Sequence, residues 1–466
     1  MGHGAFVVIA RAAGLLWAVA IVVIGLAADL QLYADGSIFS YAVADRASWG
    51  FHWHNIAQRA TPHLLTHLPA EAYVALTGEG RAGIAIYGAL FFATPLAGLA
   101  LTWALDTTPT RIHFTFAGLS TALLAPLVFG FPTELWLSLA LLWPAMASLH
   151  SPRSWPWPVP LMLLLALVFT HEGGVLLAVV AVGLLALRGL PDAGLRRALL
   201  LLAITLAVWL TVKILLPPDD YFASAYGRSA VGFLDLSALM SPVILLLCGA
   251  AAALVLLSIG LARAGAGHPA TVAAIVVAAG LIACWLLLDL PVHAAERYTV
   301  RTVMLGGLVA FANAAALLAT DSPPWPSKVF SPETWTPFAR PAMAALTLVS
   351  LVHFAETARF VAAWERYKQA LRALGSSEIS DPRLGDPRFA SAERLGERLN
   401  RLSWYSTTHY LSILLAPDWL PKRLVVDPDA GYYWLSCAMA TAGEARPSAL
   451  PKESRRLVRV LSCKHR

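Results

Sequence analysis

Long apolar segments alternate with short polar ones over roughly the first 360 residues of the chain. An apolar segment of about 18 residues is long enough to cross the hydrocarbon core of a bilayer as a helix, and a helix satisfies its own backbone hydrogen bonds there. The pattern therefore predicts an all-α polytopic membrane protein with about eleven spans. We place the spans at 5–28, 83–105, 112–130, 134–149, 156–170, 174–190, 198–216, 239–262, 268–290, 300–320 and 341–362.

Composition supports the membrane class. Hydrophobic residues make up 58% of the chain and charged residues 13%, whereas a soluble domain carries about 25% charged residues. The net charge of +6 is an excess of Lys and Arg of the kind that cytoplasmic loops and anionic lipid headgroups favour. We therefore expect membrane lipids as partners and no nucleic acid.

Basic residues cluster in alternate gaps between the predicted spans. Arg188, Arg196 and Arg197 flank one gap, and four further gaps of the same parity carry Lys or Arg. Because cytoplasmic loops are enriched in these residues, we expect a multi-pass protein of the plasma (inner) membrane with a cytoplasmic N-terminus. The opposite, outward face then receives the longer polar segments, namely loops 29–82, 217–238 and 291–299 and the C-terminal part.

The composition changes near residue 363, which divides the chain into a transmembrane domain (1–363, including loop 29–82) and a soluble extracytoplasmic domain (364–466). A helical pattern in SAERLGERLNRL and short β-like runs in RLVV, YYWLSC and LVRVLSC predict a small α/β fold for the second domain. Cys437 and Cys463 lie in this polar part. Their pairing is a hypothesis, because a disulfide requires an oxidising compartment.

Loop 29–82 is too long for an ordinary connection, and such loops are usually functional or disordered. Its aromatic and aliphatic content favours two short helices along the membrane surface, near Ser37–Ser48 and Asn55–Leu68. Asp35 precedes the first helix, where it acts either as a helix cap or as a functional carboxylate. Asp45, which adjoins Arg46, is a weaker candidate for function.

The same loop carries four histidines within sixteen residues, and two of them have the i,i+4 spacing of one helix face. Imidazole is the commonest transition-metal ligand, but no Cys or Glu completes a known metal-binding spacing here. Histidines that form hydrogen bonds at the membrane interface are the favoured interpretation, and metal binding is the weaker alternative. The four residues are His52, His54, His63 and His67.

Further charged residues fall at the predicted outward ends of spans. Arg297 and Arg301 are four residues apart at the start of a helix, a spacing that suits a phosphate gripped by two guanidinium groups or ordinary snorkelling to lipid phosphates. Acids at the other ends either face a cavity or complement a helix dipole. These outward candidates are Arg59, Glu134, His171, Glu172, Asp219, Asp220 and His293.

An uncleaved first span, a large outward loop with an early Asp, about eleven spans and an outward C-terminal domain together resemble the GT-C superfamily of membrane glycosyltransferases. The resemblance implies transfer of a sugar from a polyprenyl-phosphate donor to a glycan, lipid or protein acceptor outside the cytoplasm. It implies no cofactor beyond that donor. A divalent metal is compatible with the sequence but not supported by it.

The resemblance assigns the catalytic base to Asp35 in LYADGSIFSY, with Asp45 in VADRASW as second choice. It assigns the donor phosphate to Arg297 and Arg301, together with His293. The chain departs from the family pattern because it has no paired Asp-Asp or Asp-Glu at the loop start and no motif that fixes the sugar. The sugar, the acceptor and the lipid carrier therefore stay open.

Two other functions are compatible with the sequence. A transporter or flippase for a lipid-linked or amphipathic substrate would also gather charges near a cavity, but it more often has broken helices and polar residues inside the membrane. The predicted spans are nearly free of charge at their centres, which favours chemistry at one surface. The third alternative is an assembly subunit or receptor that binds a partner through its C-terminal domain.

Overall fold

A computed structural model gives the fold. It describes residues 2–51, 59–128, 134–151, 153–187, 192–216, 242–266, 269–288, 294–318, 332–379, 381–404, 407–427, 437, 441 and 447–463.

Helices account for nearly all of the regular structure, as the apolar pattern predicts. Within the described residues, every segment predicted as a span contains a helix. The helices in the first half are α1 Gly2–Ala27, α2 Asp35–Ala44, α3 Ser48–Phe51, α4 Ala60–Pro62, a π-helix His63–His67, α5 Leu68–Thr77, α6 Gly80–Phe92, α7 Thr94–Leu105, α8 Ile112–Leu123, α9 Leu135–His150, α10 Pro158–Val168 and α11 Glu172–Leu187. The later helices are α12 Asp192–Leu215, α13 Pro242–Arg263, α14 Pro269–Leu287, α15 Ala294–Leu318, α16 Pro332–Ser376, α17 Glu397–Asn400, α18 Thr408–Leu415 and α19 Lys452–Cys463.

Three helical segments are long and apolar enough to cross a membrane: Ala5–Ala27, Ala193–Leu215 and Ala345–Ser376. The predicted span 83–105 is instead a broken pair, α6 and α7, whose axes differ by 41°. Pro95 lies in the first turn of α7, where its missing N–H and fixed φ suit a new helix start. Membrane association follows from these segments, while the eleven predicted spans remain a prediction.

The first helix is held by close packing along its length. A Cβ added at Gly14 would lie 2.3 Å from Cα of Gly118, so α1 and α8 cross with their backbones in contact and only glycine fits at this crossing. At its C-terminal end, the carbonyl of Ala28 accepts hydrogen bonds from Trp364 Nε1 at 2.8 Å and from Lys368 Nζ at 3.0 Å. Helix α16 thereby fixes the point at which loop 29–82 begins.

Loop 29–82 folds into short helices, as predicted, although their boundaries differ. The segment predicted near Ser37–Ser48 is α2 followed by α3, and the segment predicted near Asn55–Leu68 is α4, the π-helix and the start of α5 over its described part. An aromatic contact packs the loop onto the bundle, with the ring of His67 stacked on Tyr87 of α6 at 5.0 Å between centroids.

The C-terminal part is more helical than predicted. Two strands, β1 Phe389–Ser391 and β2 Leu424–Val426, pair in parallel, and β2 coincides with the predicted RLVV run. The prediction of a strand in LVRVLSC is wrong, because these residues belong to α19. Cys437 and Cys463 form a disulfide.

This C-terminal part packs directly on α2. The rings of Tyr41 and Tyr410 lie 5.0 Å apart, and the amide of Ala449 donates to the carbonyl of Ala44 at 3.1 Å. Helix α2 thus lies between the apolar bundle and the C-terminal part, with contacts to both.

Candidate functional site

Asp35 is the first residue of α2 and does not cap it. The residue before the helix is Ala34, and no side chain forms a cap hydrogen bond there, so the capping interpretation of Asp35 is wrong. Ala34 has φ 50° and ψ −128°, a backbone conformation that L-residues rarely adopt. Such strained residues cluster at functional sites, where the surrounding structure over-determines them. Asp35 itself is partly buried.

Arg59 lies between two carboxylates, at the end of the helical bundle that also carries Asp35. Its Nη1 lies 2.6 Å from Oε1 of Glu134, and its Nη2 lies 3.5 Å from Oε2 of Glu172. The Glu134 side chain is only 4% exposed and that of Glu172 is 29% exposed. The guanidinium therefore lies between one buried and one accessible acid, which fixes its position.

Local contacts explain why these groups meet. Thr61, two residues after Arg59, donates through Oγ1 to the carbonyl of Ala166 at 2.8 Å, which ties the loop to the end of α10. A Cβ added at Gly173 would lie 3.2 Å from Leu135 and 3.3 Å from Leu305. The starts of α9 and α11 therefore lie close to the middle of α15, and the charged residues Glu134, Glu172 and Arg301 lie at or within about one turn of this contact.

Helix α15 carries Arg301, which lies one turn before Leu305. Its charge acts on Asp35, which places the two groups in one electrostatic environment. Burial raises the pKa of Asp35 from its ordinary value of 3.8 to about 6, although the charges of Arg301 and Arg59 oppose the rise and that of Glu134 adds to it. Desolvation outweighs the cations here, so Asp35 exchanges its proton near neutral pH.

His171 joins this rim as a neutral ring. Burial, with a contribution from Arg59, lowers its pKa to about 4. Its Nδ1 accepts a hydrogen bond from the amide of Gly173 at 3.1 Å, so the ring proton belongs on Nε2. Although Nδ1 also lies 3.4 Å from Glu172, a neutral imidazole forms no ion pair there. The ring acts as a dipolar neighbour.

His67 and Tyr87 form the side of the site nearest α6. His67 contacts Phe39 of α2 edge-on, at 5.2 Å between centroids, and stacks on Tyr87. Burial lowers the pKa of His67 to about 3, so it too is neutral. The hydroxyl of Tyr87 is buried without a hydrogen-bond partner among the described residues. The negative charges of Glu134 and Asp35 interact with it electrostatically.

The structure therefore brings together much of the predicted outward rim: Asp35, Arg59, His171, Glu172 and Arg301, with Glu134 and His67. Glu134 carried a sequence signal, as an acid at a helix start. Tyr87 carried none, because nothing in its local sequence distinguishes it from other aromatic residues in the chain.

Asp45 lies at the opposite end of α2 from Asp35. Ten helical residues span about 15 Å, so the structure does not bring the second-choice base to the site. Asp45 is buried, and its Oδ1 lies 3.8 Å from Nε of Arg455 on α19. Its observed role is to connect α2 to the C-terminal part.

Some predicted residues lie outside the described part of the chain: His52, His54, Asp219, Asp220 and His293. Arg297 lies one turn before Arg301 on α15, and only its backbone is described. Within the described residues, no group of three or more His, Cys, Asp or Glu residues could hold a metal ion. His63 instead faces the hydroxyl of Ser48, at 3.4 Å from its Nδ1.

Comparison of the chain with sequence families, with curated proteins and with solved structures gives no match.

Proposed function

We propose that this protein is a membrane glycosyltransferase that moves a sugar from a polyprenyl-phosphate donor to an extracytoplasmic acceptor. The observation that carries the proposal is the grouping of Asp35 with two guanidinium groups, Arg59 and Arg301, at one end of an apolar helical bundle. The proposal includes a multi-pass topology of about eleven spans and an outward C-terminal domain.

The chemistry of the site suits this transfer. An acceptor hydroxyl loses its proton as it attacks the anomeric carbon, and a carboxylate with a pKa near the working pH is an effective general base. The raised pKa of Asp35, about 6, meets this requirement. The leaving group is a lipid phosphate, and preorganised cations stabilise the charge that develops on it. Arg59 and Arg301 supply those cations.

The two glutamates have a supporting role in this proposal. Glu134 and Glu172 hold Arg59 from two sides, which fixes the direction of its remaining N–H donors. A guanidinium that is already oriented loses less entropy when it binds an oxyanion. The disulfide between Cys437 and Cys463 supports an oxidising, extracytoplasmic location for the C-terminal part.

A transporter or flippase for a lipid-linked or amphipathic substrate is the second candidate, and one observation favours it. His353 and Glu356 are buried at 4% and 3% exposure within the Ala345–Ser376 segment, and His353 Nδ1 lies 3.7 Å from Glu356 Oε2. The predicted span 341–362 is thus an exception to the expectation that the spans are nearly free of charge at their centres. Buried ionisable residues in a membrane segment often mark a transport pathway.

Replacement of Asp35 by Asn tests the proposed transferase activity and the role of Asp35 as its general base. The purified protein in lipid vesicles is supplied with a polyprenyl-phosphate-linked sugar and membrane acceptors, and transfer of the labelled sugar is measured. We expect Asp35→Asn to lower transfer at least a hundredfold, which is the usual contribution of a general base, without changing its elution on gel filtration. Asp418→Asn is the matched control, because Asp418 is exposed in the C-terminal part.

Full transfer activity in Asp35→Asn would overturn the catalytic assignment. The same vesicles distinguish the second candidate, because a flippase moves a fluorescent lipid-linked sugar between leaflets without an acceptor. Leaflet exchange that depends on His353 and Glu356, with no sugar transfer by the wild type, would contradict the transferase proposal and support the flippase.

A further inference from the structure

Four arginines lie at the end of the helical bundle opposite the candidate site. Arg11 lies near the start of α1, about 24 Å from the end of that helix. Arg111 and Arg153 belong to the α7–α8 and α9–α10 connections, and Arg197 belongs to the second turn of α12. We call these four residues the arginine surface. They lie at the end that the basic gaps of the sequence predict to be cytoplasmic.

Hydrogen bonds join the parts of the chain that carry the arginine surface. Nη2 of Arg11 donates to the carbonyl of Thr110 at 2.6 Å and joins α1 to the α7–α8 connection. Nη1 of Arg197 donates to Oγ of Ser154 at 2.7 Å and joins α12 to the α9–α10 connection. The two connections contact each other through Trp155, whose Nε1 donates to the last carbonyl of α7 at 3.1 Å. The four guanidinium groups therefore belong to one contiguous region.

Most N–H donors of this region are available to a ligand. A guanidinium group carries five N–H donors. In the described part of the chain, Arg111 donates one to the carbonyl of Trp103, and Arg197 donates two. The side chain of Arg153 donates none there, and its guanidinium lies 4.5 Å from the ring of Trp155. Arg153 is exposed, and Arg111 and Arg197 are half-buried, so an anion can reach the remaining donors.

The chain supplies little negative charge to balance these cations. Asp106 is the only acid in the segments 106–111 and 151–157. It is fully buried, and its carboxylate already accepts hydrogen bonds from the amide and hydroxyl of Thr108 and from the amide of Phe114. Four guanidinium groups therefore share one buried carboxylate, and the arginine surface carries a net positive charge.

Exposed aromatic residues beside the arginines indicate that the anion belongs to a lipid. Trp103 is 56% exposed and Trp157 is 61% exposed. The guanidinium of Arg111 lies 4.9 Å from the ring centroid of Trp103, and Trp157 lies two residues after Trp155. Tryptophan is enriched at the level of the lipid headgroups, whereas a site for a soluble anion requires no exposed aromatic ring.

We propose that the arginine surface binds the headgroup of an anionic phospholipid, whose phosphate accepts hydrogen bonds from Arg111, Arg153 and Arg197. Arginine holds a phosphate through two parallel N–H donors, and basic pockets between membrane helices on the cytoplasmic side bind anionic headgroups. The inference does not rest on the proposed sugar transfer, because this surface lies at the other end of the bundle from Asp35. It adds a second ligand site, for a lipid of the opposite leaflet.

Native mass spectrometry of the full-length protein in detergent tests this site, because it resolves single bound lipids and gives their dissociation constants. The protein is titrated with phosphatidylglycerol and, separately, with phosphatidylcholine, whose choline cation balances the phosphate. The test variant combines Arg111→Gln, Arg153→Gln and Arg197→Gln. The control variant removes three exposed charges from α16 and α17, by the substitutions Arg366→Gln, Arg372→Gln and Arg398→Gln.

We expect the wild type to bind phosphatidylglycerol more tightly than phosphatidylcholine. One basic residue near an anionic headgroup changes the dissociation constant about fivefold, so the test variant should bind phosphatidylglycerol about a hundredfold more weakly. Its affinity for phosphatidylcholine and the affinities of the control variant should not change. Arg153→Gln alone should weaken phosphatidylglycerol binding about fivefold, and Arg153→Lys, which keeps the charge, should lose less.

Equal affinity of the wild type for the two lipids overturns the inference. An equal loss of phosphatidylglycerol binding in the test and control variants does so too, because that result reflects net charge alone. Inorganic phosphate is added as a competitor, and its displacement of the lipid at equal concentration would identify a site for a free anion instead. If the triple variant fails to fold, Arg153→Gln decides, because the Arg153 side chain donates no hydrogen bond within the described chain. Unchanged phosphatidylglycerol affinity in that variant overturns the proposal.

Discussion

Nη1 of Arg59 lies 2.6 Å from Oε1 of Glu134, although the two residues are 75 positions apart in the chain. The contact joins loop 29–82 to the start of α9, and the Glu134 side chain is 4% exposed. Removal of one member of a buried ion pair leaves an uncompensated charge, whereas replacement of both members by apolar residues is often neutral. This asymmetry gives a prediction that does not depend on any assay of activity.

Arg59→Gln is expected to destabilise the protein by about 3 kcal/mol or more, seen as a lower midpoint of thermal unfolding in detergent. Arg59→Lys, which keeps the charge, should lose less. The double variant Arg59→Met with Glu134→Leu should recover most of the stability of the wild type. A double variant less stable than Arg59→Gln would contradict the buried-pair description.

The pKa of Asp35 gives a prediction about pH. A general base must be ionised, so the transfer rate should fall as pH decreases through about 6, with a slope of one proton. Asp35→Glu should show the same decrease of kcat/KM at low pH, with a lower maximum value. The measurement is kcat/KM against pH in vesicles, and a rate that is independent of pH between 5 and 8 would contradict this assignment.

The same pKa predicts an effect on stability. A carboxyl whose folded pKa lies above its unfolded value costs stability when it ionises, so this cost appears as pH rises from about 4 to about 6. A rise from 3.8 to about 6 corresponds to about 3 kcal/mol at most, and the partial exposure of Asp35 reduces it. Asp35→Asn should therefore be more stable than the wild type at pH 7.5, with the gain absent at pH 4. Equal melting midpoints at both pH values would contradict the desolvated environment of Asp35.

The buried pair of Asp45 and Arg455 should connect α2 with α19. We expect Asp45→Asn to lower the melting midpoint and to increase cleavage of the C-terminal part in limited proteolysis, because Arg455 then loses the carboxylate that faces it. The double variant Asp45→Leu with Arg455→Met should be more stable than either single variant. Strict additivity of the two single effects would show that the pair is not coupled.

The helices were predicted well from the sequence, because long apolar segments are typical of membrane helices. The prediction failed where a short segment is compatible with both the helical and the strand period. In LVRVLSC, the run alternates like a strand, yet Leu457, Val458 and Leu461 have helical spacing and are buried together. Such short apolar runs are ambiguous between helix and strand, and the packing of α19 on its neighbours decides the outcome.

The sequence predicted which end of the helical bundle carries the candidate residues, but it did not predict the contacts between them. The parity of the gaps placed Asp35, Glu172 and Arg301 at one end of the bundle. No local pattern showed that Arg59 pairs with Glu134, because this contact joins residues far apart in the chain and depends on tertiary packing.

The order of these residues along the chain has a consequence for biosynthesis. Asp35 leaves the ribosome early, whereas the three residues whose charges act on it, Arg59, Glu134 and Arg301, follow in that order. They come from three separate parts of the chain, and Arg301 is the last of them. A nascent chain released before residue 301 lacks one of these charges, so the proposed active site is complete only late in the synthesis of the chain.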